Sequence, residues 1–276
     1  MLLPWLESRA TEQLALWSDA AGLDLLRLGT TAEADEIRDT AVAQPLLTAA
    51  ALLSWQALGT APDVVLGHSV GELAALAVAS VITPTDAVVL AAERGRAMAA
   101  AAAQTPTGMA ATLGGDASEI EKAATALGLE VATVNVAGQT VYGGPVAALD
   151  QLAELQPGGA RVRRLETAGA FHTSAMAPAV PRLQELVDGL TPNDPSCTVI
   201  ANRDGAAVTS GRELLDRLVG QLTGPVRFDL CLAAVADATE VIELAPGGTL
   251  VALAKRAIPG AALTALKTPA DLPVHA

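Results

Sequence analysis

The stretch from Val64 to Leu76, VVLGHSVGELAAL, sets a serine between two glycines where an apolar run gives way to a helical pattern. Gly67-His68-Ser69-Val70-Gly71 fits G-x-S-x-G, the nucleophile elbow, in which a tight strand-to-helix turn lifts the serine hydroxyl clear of a sheet edge. Small flanking residues favour such a turn. The backbone N–H of Val70, at the head of the helix, would face a developing oxyanion with help from the helix dipole. The chemistry implied is acyl transfer or acyl hydrolysis through a seryl ester. Short glycine–serine patterns recur by chance in chains rich in Gly and Ala, so the strand before this one and the helix after it give it weight.

A serine hydroxyl needs a base, and the chain offers His68, His172 and His275. His275 falls in the C-terminal tail. His68 adjoins Ser69 on the turn, where its ring should point away from the hydroxyl, and reads as a structural hydrogen-bonding residue. His172, in GAFHT, is then the candidate base. The alternative for a single histidine, a satisfied residue of core or surface, stands beside that reading.

These residues sit in a chain of 276 residues, half of them apolar, with a formal net charge of −13. That length allows one large domain, or a large domain carrying a smaller one. The acidic balance excludes nucleic acid and anionic membrane surfaces as partners, since both require a basic footprint. No uninterrupted apolar run reaches the roughly 18 residues of a spanning helix. Met1 to Arg9 lacks the pattern of a signal peptide. The expectation is a cytoplasmic monomer with no membrane partner. Cys197 and Cys231 have no paired or metal-type spacing, so neither a disulfide nor a metal site is expected.

The elements that must position the candidates follow from periodicity and punctuation. Val42 to Leu58 reads as a buried helix, Val64 to Leu66 as a strand, Leu73 to Ser80 as a helix, and Pro84 opens a long helix through Gln104. The middle of the chain changes rhythm. Met109 to Leu113 is strand-like, Ser118 to Leu127 a helix capped by its serine, and Val131 to Val134 and Thr140 to Tyr142 are strands. A helix from Pro145 to Leu155 and an edge strand from Arg161 to Leu165 complete a β-α-β-β-α-β order, the split arrangement of ferredoxin-like domains. Beyond it come a helix from Ser174 to Leu190 and a strand from Thr198 to Ala201 closed by the turn Asn202-Arg203-Asp204-Gly205. Two helices broken at Gly224-Pro225 follow, then a strand from Glu240 to Leu244 and a helix from Leu250 to Arg256. Strands alternating with helices predict an α/β protein with a mostly parallel sheet. The predicted division is a large domain over 1–104 and 168–276 with an inserted ferredoxin-like subdomain over 105–167.

GHSVGE, followed by RGRAM and then GAFH, resembles the malonyl-CoA:acyl carrier protein transacylases of fatty-acid synthesis and the related acyltransferase domains of polyketide synthases. The likeness runs from about Asp24 to about Lys267 and keeps the motifs in the family's order. It implies an α/β-hydrolase-like body with a ferredoxin-like subdomain, in agreement with the pattern above. It makes Ser69 the nucleophile and His172 the base. It also makes Arg94, in AAERGRAM, the residue that holds the free malonyl carboxylate. A guanidinium can bind a carboxylate through two parallel hydrogen bonds; the plainer alternative is a solvated Arg94, or one paired with Glu93 or Asp86. By the same resemblance the backbone carbonyl of Gln221, in VGQLTGPV, orients the histidine in place of a triad aspartate. Asn135 and Gln139, in NVAGQTVYGG, match the stretch that lines the family's cleft. Phe171, just before the histidine, accords with malonyl where a serine accords with methylmalonyl; otherwise it simply fills the core.

The resemblance implies a malonyl group carried from CoA to the phosphopantetheine thiol of an acyl carrier protein, without cofactor or metal. Arg161, Arg163, Arg164, Lys255 and Arg256 are the local basic clusters that could face an acidic carrier. A serine thioesterase or esterase would use the same elbow, and an inactive homologue could dock carrier protein alone. One departure stands out. Family members open with a short strand and Gly-Gln-Gly-x-Gln, whose last glutamine gives the second oxyanion N–H, whereas MLLPWLES resembles the stretch after that motif. The expectation is a body short of one sheet strand and of half an oxyanion hole.

Overall fold

The computed structural model describes residues 1–273, and His275 lies outside them. Among the described residues ten strands form three sheets. β1 (Val64–Leu66) pairs in parallel with β6 (Thr198–Ile200), which pairs antiparallel with β7 (Ala207–Val208). β2 (Thr107–Leu113), β3 (Glu130–Val136), β4 (Gln139–Pro145), β5 (Arg161–Arg164) and β8 (Val226–Arg227) form a second sheet in the order β5-β2-β4-β3-β8. β9 (Glu240–Glu243) and β10 (Ala262–Ala265) pair in parallel as a third. The mostly parallel sheet expected for the body is therefore divided into two pieces. Among the described residues one edge of β1 and one edge of β9 have no strand partner, and both strands border a cleft of about 1400 Å³.

Residues 107–164 follow the expected β-α-β-β-α-β order, with the Ala117–Ala126 and Val146–Leu155 helices packed on one core of Ile120, Ala124, Leu149 and Leu152. The β2, β3, β4 and β5 pairs are all antiparallel. This sheet also takes β8 from far along the chain, in parallel with β3. Asp116 caps the first of the two helices by accepting from the N–H groups of Ser118 and Glu119. The serine expected as cap is thus inside the helix, because a carboxylate two residues earlier satisfies its first donors.

The body is held by two long helices, Thr40–Leu58 and Pro84–Ala102. Thr83 and Asp86 form a capping box with Pro84 in the first turn, which fixes the start of the second helix. The first is long and apolar enough to cross a membrane. Here it is a core helix, with Leu46, Ala49, Ala50, Leu52 and Leu53 buried. Gly95 brings the pair close: a Cβ there would lie 2.5 Å from Thr40 O and 2.9 Å from the Ala41 Cα. Close approach lets polar groups of the two helices meet across an otherwise apolar seam.

Where the sequence predicts one helix from Ser174 to Leu190, the chain forms a 3₁₀ helix, Ser174–Ala179, followed by an α-helix, Val180–Asp188. Pro178 and Pro181 each remove a backbone donor, and the segment tightens and re-aims between them.

Candidate active site

The elbow begins as the sequence suggests: β1 ends at Leu66 and the Gly71–Val78 helix follows at once. Gly67 has no room for a side chain, since a Cβ would meet Gly71 C at 2.1 Å and Glu72 N at 2.4 Å. Gly71 is different; a Cβ there meets nothing within 4 Å, so this glycine leaves space beside the serine and is not demanded by the turn. Ser69 carries φ 54°, a left-handed conformation that costs on the order of 1–3 kcal/mol for a residue with a side chain. It is held there by Asn202, whose Oδ1 accepts from Ser69 N–H at 2.8 Å while its Nδ2 donates to Gly67 O at 2.6 Å.

His172 is the other left-handed residue of the site, at φ 63°. The Ser69 hydroxyl donates to its Nε2 at 2.7 Å, and its Nδ1 donates to the Gln221 backbone carbonyl at 2.8 Å. The second bond sets the tautomer, leaving Nε2 free to accept. No carboxylate completes a triad at this nitrogen; a main-chain carbonyl takes that place. Burial, reinforced by the Arg94 charge, pushes His172 down to about 3, with the Gln221 carbonyl opposing. The imidazole is therefore neutral at physiological pH.

Arg94 is 1 % exposed in the middle of the Pro84–Ala102 helix. It pairs with neither Glu93 nor Asp86. Its guanidinium donates to Gln44 Oε1 at 2.6 Å, to Gln221 Oε1 at 2.8 Å and to Ser69 Oγ at 3.3 Å, while its Nε finds no partner. Its partners are thus neutral amides and the hydroxyl, an arrangement that leaves its charge uncompensated by direct contact. Burial pulls Arg94 down to about 10, against the nearby Glu72 charge.

The remaining candidates surround this centre. His68 donates from Nε2 to Asn135 Oδ1 at 2.8 Å and lies against Phe228, with ring centroids 5.0 Å apart. Burial lowers the His68 pKa, with the Asn135 bond opposing. Asn135 on β3 and Gln139 on β4 both line the large cleft, together with His68, Ser69 and Val70. Gln139 Oε1 also accepts from Arg256 at 3.2 Å. Phe171 is partly buried between the body core and the apolar face of the second sheet. The structure therefore brings together Ser69, His172, Arg94 and Gln221, with Phe171 next to His172 in the chain.

Three residues of the centre escaped the sequence. Gln44 lies in the apolar Thr40–Leu58 run, where a buried amide was itself a signal. Asn202 read as a turn residue, and no local pattern marks its reach to Ser69. Glu72 stands in the helix GELAALAV, the one acid of an apolar segment. It accepts from Asn202 N–H and from Gln221 Nε2, each at 2.6 Å.

Comparison with known proteins gives the family. The acyl transferase domain family matches residues 10–266. The malonyl CoA-acyl carrier protein transacylase of Mycolicibacterium smegmatis is 50% identical over 284 residues, covering 99% of this chain and 98% of the relative. The Escherichia coli K12 enzyme of that name is 35% identical, covering 95% and 88%. The crystal structure of MCAT from Mycobacterium tuberculosis superposes with TM-score 0.95 at 50% identity, covering 98% of this chain and 93% of that one. A malonyl-transacylase solved in complex with a type II polyketide synthase acyl-carrier protein gives TM-score 0.90 at 27% identity, covering 99% and 93%. With a serine hydroxyl on a histidine nitrogen at the elbow, a buried arginine beside them and this match along nearly the whole length, the chain belongs to the acyl transferase domain family.

Proposed function

We propose that the protein is a malonyl-CoA:acyl carrier protein transacylase, and that Ser69, His172, Arg94 and the Gln221 carbonyl do the work assigned by the resemblance. The observation that carries the reading is the buried Arg94 guanidinium 3.3 Å from the hydroxyl that His172 holds. A thioesterase needs no cation there, whereas a malonyl group brings a carboxylate to the reacting carbonyl's neighbourhood.

Ser69 Oγ attacks the thioester carbonyl as its proton passes to His172 Nε2. The tetrahedral oxyanion forms near the Val70 N–H. Collapse breaks the C–S bond, and the CoA sulfur leaves with the proton from His172. The phosphopantetheine thiol of the carrier then gives its proton to the same nitrogen and attacks the seryl ester, reversing the steps. The substrate assists its own transfer: a carboxylate paired with Arg94 offsets the charge that depresses His172, so the base strengthens once malonyl is bound. Neutral acyl groups bring no such compensation.

The reading includes an α/β-hydrolase-like body over 1–104 and 168–276, a ferredoxin-like subdomain over 105–167, and a cytoplasmic monomer. The β5-β2-β4-β3 order supports the subdomain. Arg161 and Arg163 stand exposed on β5 and are the better candidates for an acidic carrier, since Arg164 is paired with Asp150 and Arg256 is tied to the Ala137 carbonyl.

Incubation with malonyl-CoA followed by intact-mass measurement tests the proposal. A malonyl adduct that Ser69→Ala abolishes and carrier protein discharges is expected, with little adduct in His172→Ala. Steady release of free malonate would assign hydrolysis instead, and an adduct formed at full rate without Ser69 would end the reading.

A further inference from the structure

The carboxyl of Glu72 takes no part in the steps above, yet it lies beneath all of them. It projects from the first turn of the Gly71–Val78 helix and is buried. Each oxygen accepts one short hydrogen bond, Oε1 from Asn202 N–H and Oε2 from Gln221 Nε2. Both donors belong to residues that hold another part of the site: Asn202 the Ser69 N–H, and Gln221 the Arg94 guanidinium.

The chemistry of these groups fixes which way the Gln221 amide faces. An ionised carboxylate only accepts and a guanidinium only donates. Placed between them, Gln221 satisfies both in a single orientation, with Nε2 toward Glu72 and Oε1 toward Arg94. In that orientation Nε2 also lies 3.1 Å from Asn202 Oδ1, a further acceptor. Burial pushes Glu72 up to about 7, opposed by the Asn202 N–H and by the Arg94 and Arg217 charges. A donor on each oxygen is what the anion requires. A buried network of this kind holds its geometry only while every member is satisfied.

We propose that Glu72 is a positioning residue for Arg94: by fixing the Gln221 amide it fixes the face of the guanidinium offered to an acyl carboxylate, and so sets the preference for dicarboxylic over neutral acyl groups. The inference rests on the reading of Arg94 as the carboxylate partner. It is separate from the hold on His172, which uses the Gln221 main chain.

Glu72→Gln keeps the shape and changes the hydrogen-bond code. With its oxygen retained by Asn202 N–H, the new amide presents NH₂ to Gln221. Gln221 can answer only by turning its own oxygen, which sets its NH₂ against Arg94. Losing one hydrogen bond to a charged group predicts a fall of at least about tenfold in kcat/KM for malonyl transfer. The fall should appear as a raised KM for malonyl-CoA, with acetyl transfer changed by less than about threefold. The double variant Glu72→Gln/Gln221→Glu restores donor–acceptor pairing between positions 72 and 221, gives up the donor to Asn202 Oδ1, and places a protein carboxylate on Arg94. It is expected to recover the melting temperature while malonyl transfer stays low. Equal losses for malonyl and acetyl in Glu72→Gln, or an unchanged malonyl KM, would overturn the proposal. If that single variant does not fold, wild-type malonyl transfer by the double variant overturns it. A wild-type protein that transfers acetyl as readily as malonyl would overturn the underlying reading of Arg94, a result visible before any variant is made.

Discussion

Truncating Arg94 separates its service to the fold from its service to the substrate. In Arg94→Ala, the Gln44 and Gln221 side-chain oxygens each lose a donor at 2.6 and 2.8 Å inside the core. Each unpaired buried acceptor costs about 1–3 kcal/mol, so the folded state should lose roughly 2–6 kcal/mol before any cavity cost. Transfer should fall by a further amount that depends on the acyl group. A malonyl carboxylate desolvated without its partner costs about 2–5 kcal/mol, or between roughly 30-fold and several-thousand-fold in kcat/KM. Acetyl has no carboxylate and should lose far less. The assay is the rate of seryl adduct formation by rapid-quench mass measurement with malonyl-CoA and acetyl-CoA in parallel, with denaturant unfolding to report stability. Arg94→Lys should fall between the extremes, since a single ammonium cannot serve both amides and a carboxylate fork. Equal losses with both acyl groups would refute the reasoning and leave Arg94 as a support of the fold.

His172 should remain a neutral base as pH falls through its ordinary value of 6.5, because burial and Arg94 hold it near 3. Its unfolded form takes up a proton first, so stability is lost as pH falls from 6.5 toward 3, by up to about 5 kcal/mol. Glu72 acts with the opposite sign: raised from 4.5 to about 7, it removes up to about 3 kcal/mol as pH rises across that window. Urea titrations at pH 4.5, 6 and 8 of wild type, His172→Gln and Glu72→Gln would show the two slopes vanish one at a time; slopes unaltered by the substitutions would contradict the burial argument. Phe171→Ser should raise the ratio of methylmalonyl to malonyl transfer, by the 1–3 kcal/mol or so that one methyl is worth, and an unchanged ratio in folded protein would remove Phe171 from selectivity.

The elbow was legible because its glycine and its neighbours act locally: Gly67 is demanded by contacts within five residues, and β1 and the following helix announce themselves by composition. His172 emerged by elimination among three histidines. Arg94, Gln221 and Phe171 came with the resemblance and could not have come from periodicity. Glu72, Asn202 and Gln44 stayed hidden because their importance lies in partners 130, 149 and 50 residues away. The same holds for short strands. β7 and β8, of two residues each, have no period to read, and Ala-Leu-Thr-Ala of β10 shows little of a strand until Glu240–Glu243 pairs with it. Prolines misled in the opposite direction: the apolar spacing after Ser174 is helical, but Pro178 splits it.

The outer strands of the three sheets differ in how they meet another copy of the chain. β5 reads Arg-Val-Arg-Arg, with Arg161 and Arg163 exposed, so a second molecule approaching edge-on brings arginine against arginine. β1 offers Val-Val-Leu with Val64 39% exposed, a strand with no cation of its own. Colloidal behaviour should therefore be governed by the body. At low ionic strength the charge of −13 keeps molecules apart. As salt screens that repulsion over distances of about 10 Å at 0.1 M, the β1 edges can add to one another, and turbidity with a cross-strand infrared signature should rise with both salt and protein concentration. Placing a lysine at Val64 would delay that onset without touching the serine five residues on.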